Sequence, residues 1–151
     1  MPINRALAPV VRTAQGRHQQ YLSASQTPLI GGVRGAWRTT LNYAWFVGQM
    51  NHGAPWDIKR ESVWNTTIGY GTFPGVAVMV FFSGMLMTPE SLGNFTYGYI
   101  GGALGFDLGT LLAGSFIAAG FPEVGTPGWN NEVHVDWWFV EAGLNAFHRR
   151  P

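Results

Sequence analysis

A chain of 151 residues has the length of one domain with a sizeable core, and its lack of cysteine excludes a disulfide framework, a thiolate metal site and a cysteine nucleophile. Charged residues make up only 11% of the chain, against about 25% in an average soluble domain. The net charge of +1 disfavours a protein that must hold many phosphates. Glycine (21), Trp (7), Phe (10) and Tyr (5) are in excess, which suits a carbohydrate groove or a lipid-contacting surface, where flat rings stack on apolar faces.

The first segment, residues 1–38, reads as an N-terminal arm or lead-in. It holds one polar, helical stretch around Thr13–Ser23, and Gly31, Gly32 and Gly35 then break the chain. Its opening residues lack the continuous apolar core of a secretory signal, so export would use a route without a cleaved signal. Arg5, Arg12, Arg17, Arg34 and Arg38 all precede the first acid, Asp57, while Glu123, Glu132, Asp136 and Glu141 lie near the C-terminus. That asymmetry lets the two ends attract each other, or steers an anionic partner to the N-terminal part.

From Thr39 to Met50, Leu41, Ala44, Trp45 and Gly48 recur at helical spacing, with Thr39 or Thr40 as the N-cap. The helix is expected to stop near His52-Gly53, and Pro55 forbids its continuation. A short helix over Asp57–Trp64 follows, then an irregular connection marked by Gly69, Gly71, Pro74 and Gly75. The uncharged run Val76–Met87 is predicted as a buried helix, with a buried strand as the alternative. At that length it is too short to span a bilayer, which takes about 20 residues. The stretch Tyr99–Phe121 spaces small residues three and four apart, and Asp107 interrupts it as the cap of a helix from Leu108 to Ala119. A Gly/Pro loop over Pro122–Asn131 and a closing helix over Val135–Arg149 complete the chain. The expected fold is mainly α: a compact single-domain helical fold with long Gly/Pro-rich loops.

Two stretches carry most of the chemistry. In Asn51–Lys59, Trp56 stands beside Asp57, and an indole next to a carboxylate can make it a useful general acid. Capping of the next helix, or pairing with Lys59 or Arg60, is the structural reading of the same Asp57. Lys59 can stabilise developing negative charge or be an ordinary surface lysine. In Gly93–Gly98, Asn94 and Tyr97 sit in a glycine-flanked loop, where Asn94 can orient a substrate group and Tyr97 can stack on a sugar or donate a proton. A turn-stabilising Asn94 and a core Tyr97 are the alternatives. His134 and Asp136 alternate, so on an extended segment they point the same way. There they serve as general base and orienter, or as two metal ligands if a third is supplied; the structural reading is that Asp136 caps the closing helix. No nucleophile elbow, P-loop, zincin or deaminase motif is present, and no metal or cofactor is assigned.

These landmarks resemble the type-44 domain of bacterial polymorphic toxins. That family carries a Gly-Gly-Pro-Trp-Asp-Tyr-Lys element and then a Gly-Asn-Phe-x-Tyr-Gly-x-x-Gly element. Its closing helix has an Asp, a Gly seven residues on, and an aromatic residue after it. Here the counterparts are Gly53–Lys59, then Gly93–Gly98 with Gly101, and then Asp136 with Gly143 and Phe147. Val76–Met87 looks like an insertion between the first two elements, and the acid-rich turn expected before the closing helix is replaced by Asn131–Asp136. The likeness runs from about Tyr43 to Phe147 and makes 39–151 the toxin-like domain.

The resemblance implies a secreted antibacterial effector, delivered into a competitor cell by a secretion apparatus and neutralised at home by a cognate immunity protein. Peptidoglycan is the favoured substrate, with action in the periplasm. Asp57 and Asp136 are then the acid/base carboxylates, and Trp56, Asn94 and Tyr97 hold the glycan. An RNase using His134 as base and Lys59 or Arg60 on the phosphate is the enzymatic alternative, against which the low net charge counts. A membrane-inserting toxin using Val76–Met87 and Ile100–Phe121 is the non-enzymatic one.

Overall fold

The computed structural model describes residues 7–25, 31–64, 79–82, 84–118 and 129–150. Five helices dominate it, α1 (Ala8–Ser25), α2 (Gly31–Met50), α3 (Pro89–Ala103), α4 (Leu108–Ala118) and α5 (Trp129–His148), with one hairpin, β1 (Val80–Phe82) and β2 (Met85–Met87). The fold is mainly α, as the sequence implies. Among the described residues, no helix is long and apolar enough to cross a membrane.

Helix α1 extends beyond the stretch expected to be helical. Leu7, Val10, Val11 and Ala14 form a stripe at helical spacing that is buried in the common core. Contrary to expectation, the glycines at 31, 32 and 35 do not break the chain; they lie inside α2, which begins eight residues before Thr39. A helical glycine costs only about 1 kcal/mol relative to alanine, and no proline interrupts this segment. The face of α2 also differs from the expected one. Leu41 is 49% exposed, and among the described side chains of α2 the buried ones are Asn42 and Phe46. Phe46 stacks on Tyr97 with ring centroids 5.0 Å apart. Buried Asn42 accepts from Arg17 Nε of α1 at 3.4 Å.

Helix α2 ends where the sequence stops it, at a turn in which Gly53 takes φ 75°. The short helix expected over Asp57–Trp64 is reduced to a single turn, Glu61–Val63. Residues 69–75, expected as an irregular connection, lie outside the described residues. The apolar run beyond them is a hairpin over its described part rather than the predicted helix. Val80 faces Met87, Phe81 faces Leu86 and Phe82 faces Met85, and Gly84 takes φ 82° in the turn. A glycine between two short β-prone runs closes a hairpin more readily than it continues a helix. Only one face is buried, through Phe82 and Met87, while Phe81 (72%) and Leu86 (58%) are exposed.

Thr88 caps α3 by accepting from Ser91 N–H at 3.1 Å, and Pro89 occupies the first turn, where no N–H is needed. At the other end, Gly105 N–H bonds Gly102 O and Phe106 N–H bonds Gly101 O, with Gly105 at φ 78°. This paired closure requires a left-handed residue. A side chain at 105 would also strike the His18 ring, 2.4 Å away. Asp107 caps α4 as expected, with Thr110 N–H donating to Oδ1 at 2.7 Å. Those donors hold the exposed Asp107 carboxyl below its ordinary value.

The central packing joins α3 to α5. Asn94 meets Asp136, Gly98 meets Val140, and Gly102 meets Leu144 and Phe147. The contacts advance together along both chains, so the two helices run parallel. Their backbones approach so closely that a Cβ at Gly98 would lie 1.9 Å from Val140 O, and one at Gly143 would lie 1.9 Å from Phe95 O. The glycine spacing in the apolar stretch is thus used for helix approach within this core.

Candidate functional site

Beside the α3–α5 contact lies a cavity of about 380 Å³, walled by α3, α5, α4, the end of α2 and the turn that follows it. Trp56, Asp57, Lys59, Asn94, Tyr97 and Asp136 all line it. Residues from three separated stretches of sequence therefore share one concave surface.

On α3 the contributing positions are Glu90, Gly93, Asn94 and Tyr97, spaced i, i+3, i+4 and i+7 along one helical stripe. Asn94 and Tyr97 therefore sit on a helix and not in the loop that their flanking glycines suggested. The glycines on either side serve α3 as a helix: Gly98 admits α5, and Gly93 lies alongside the Lys59 side chain. On α5, Asp136 and Val140 face the cavity one turn apart.

The Asn94 amide donates to Asp136 Oδ1 at 2.6 Å. This bond fixes one carboxylate oxygen from a neighbouring helix. Asp136 lies in the third turn of α5 and is not its cap. The extended His134-x-Asp136 geometry is likewise absent. Both positions lie within α5, so the extended segment on which the two were expected to alternate does not form. The His134 side chain is outside the described residues.

Asp57 is 3% exposed. Its Oδ2 accepts from Gly53 N–H at 2.9 Å and pairs with Arg60 Nε at 3.3 Å. Arg60 also donates through Nη2 to His52 Nδ1. Asp57 thus fastens the turn that carries His52, Trp56 and Lys59 to the cavity wall. Trp56 packs edge-on against Trp45 at 5.4 Å, which gives the turn an aromatic brace.

The Tyr97 hydroxyl is committed. It donates to Leu111 O at 3.0 Å and lies 2.7 Å from Tyr43 OH. A hydroxyl has one proton, so Tyr43 must be the donor in the pair. Burial pushes both phenols above their ordinary value, Tyr97 far above it. Tyr97 therefore offers its ring to the cavity, while its proton ties α3 to α4. Gly114 makes room, since a Cβ there would lie 1.1 Å from Tyr43 OH.

Two titratable lining residues, His52 and Glu90, were not singled out from the sequence. Glu90 could have been found by reading Pro89 onward as a helix, because it precedes Asn94 by one turn. His52 carried no signal beyond its place at the helix stop. Among the described residues, no group of three His, Asp or Glu is placed to hold a metal ion.

Residues 45–125 match the family model described as bacterial toxin 44, more than half of the 151-residue chain. The matched span holds the Trp56–Lys59 and Glu90–Tyr97 walls of the cavity, and Asp136 follows it. No curated protein and no solved structure matches the chain. With its mainly α fold and two of its cavity walls inside the matched span, the chain belongs to the bacterial toxin 44 family.

Proposed function

We propose that this bacterial toxin is a secreted antibacterial effector that hydrolyses the glycan of a competitor's peptidoglycan. Its site is the cavity between α3 and α5. The observation that carries the reading is the Asn94–Asp136 pair, a carboxylate oriented at 2.6 Å on the wall of a concave site. Trp56 and Tyr97 line the same cavity, and rings of this kind stack on sugar faces. Asp136 acts as base or nucleophile, since a carboxylate held by a fixed donor keeps the orientation that attack on an anomeric centre needs. Lys59 sits where it can neutralise charge on a substrate carboxyl or acetamido oxygen. Asp57 holds the turn in place rather than reacting. A glycan hydrolase of this kind acts in the target periplasm, and its producer needs a cognate immunity protein that blocks the cavity.

An RNase is the second reading, favoured by His52 and Lys59 on one wall; the net charge of +1 weighs against it. Expression in a bacterial host, once confined to the cytoplasm and once exported, separates the two. Rounding and lysis only after export is the result expected of the wall hydrolase. Growth arrest from the cytoplasm, with loss of RNA and no lysis, would refute it.

A further inference from the structure

Glycoside hydrolysis uses two carboxyl groups, and Asp136 supplies one. Asp57 is poorly suited to be the second, because its Oδ2 is already engaged by Gly53 N–H and Arg60 in a nearly closed environment. Glu90 is exposed and lines the cavity, and its side chain has no hydrogen bond or ion pair among the described residues. It stands one turn before Asn94, whose amide touches Asp136. Residues four apart on a helix have Cβ atoms about 5–6 Å from each other. Glycosidases that activate a water directly keep their two carboxyl groups about 6.5–9.5 Å apart, to leave room for it. Glu90 and Asp136 thus line one cavity, Glu90 one helical turn from the residue whose amide holds Asp136.

We propose that Glu90 is the general acid of this site, an assignment that rests on the glycan-hydrolase reading. Asp136, ionised and held at Oδ1, takes a proton from water as the water oxygen bonds to the anomeric carbon. The glycosidic C–O bond breaks with its electron pair on the leaving oxygen, and Glu90 delivers its proton there. Glu90 ends ionised and Asp136 protonated, and exchange with bulk water restores both. The geometry leaves Asp136, pinned on a helix, as the partner that needs fixed aim.

A first-turn glutamate also stabilises a helix by about 0.3–1 kcal/mol, so the test needs a readout that helix stability does not move. The full chain and its E90Q variant are assayed on purified sacculi and on dinitrophenyl glycosides of the peptidoglycan amino sugars, whose leaving group needs no proton. General acid catalysis contributes about 10²–10⁴-fold. E90Q is therefore expected to lose that factor on sacculi, to keep most of its rate on the aryl glycosides, and to lose the alkaline limb of the pH profile. An E90Q rate on sacculi within threefold of the parent, or an alkaline limb that persists, overturns the assignment and leaves the hydrolase reading standing. If the parent chain releases no muropeptide, the hydrolase reading fails and the assignment falls with it.

Discussion

Replacing Gly143 with alanine tests the packing on which the cavity depends. A Cβ at 143 would lie 1.9 Å from Phe95 O and 2.9 Å from Tyr99 N, both main-chain atoms that no rotamer change can move. Ordinary contacts between heavy atoms fall at about 3.5–4.0 Å, so the α3 and α5 backbones must part by roughly 1.5–2 Å. Overpacking of this kind costs about 1–3 kcal/mol, partly offset by the roughly 0.5–1 kcal/mol an alanine gains over glycine in a helix. The same separation stretches the Asn94–Asp136 bond from 2.6 Å to beyond hydrogen-bond reach. In a chain of this size each kcal/mol moves Tm by about 2–4 °C, so G143A is expected to melt several degrees lower. It should also lose toxicity under conditions where it is still folded. G48A is the matched control. It lies on α2 with nothing within 4 Å of its Cβ, and a gain of up to about 1 kcal/mol is expected. Differential scanning calorimetry of the two variants reads both signs. A G143A protein as stable as the parent, with toxicity intact, would refute the close parallel packing of α3 and α5.

The buried phenol pair makes the fold sensitive to alkali. Tyr43 and Tyr97 titrate above 10.0 in the folded chain, so their contribution is full below that value and is lost as pH rises past it and the unfolded chain ionises first. Urea midpoints should fall between pH 9 and pH 11, and the double change to phenylalanine should flatten that fall; an unchanged slope would remove the pair from the explanation. Asp107 works in the opposite sense. Its folded value lies below the ordinary one, so its contribution is present above the unfolded pKa and is lost as pH falls through the folded one. Losing an N-cap costs about 1 kcal/mol, so D107A should lower Tm by a few degrees at pH 7, whereas D107N should keep the cap and lose only the acid dependence.

How much of this was legible in the sequence follows from which forces act locally. The stop of α2 at Gly53, the Asp107 cap and the mainly α character depend on backbone chemistry within a few residues, and each was readable. The start and the buried face of α2 were not, because Phe46 is drawn inward by Tyr97 and Phe106, rings more than forty residues away. Gly93–Gly98 reads as a loop for the same reason: its glycines look like turn residues until α5 is placed against Gly98. The three stretches that were singled out do line one cavity. Their chemistry, though, depends on contacts no spacing reveals. Arg60 and Gly53 engage Asp57, Leu111 takes the Tyr97 proton, and Asn94 reaches across forty-two residues to Asp136. Glu90 went unnoticed only because the helix that aligns it with Asn94 was not foreseen.

The most direct measurement is mass spectrometry of the soluble products after purified protein is incubated with bacterial sacculi, alongside a D136N variant shown by circular dichroism to be folded. The account expects the parent chain to release glycan fragments with new reducing ends, and D136N to release them at least about 100-fold more slowly, the lower end of what a positioned acid or base contributes. Intact sacculi after prolonged incubation with the parent chain, or equal release by D136N, would contradict it.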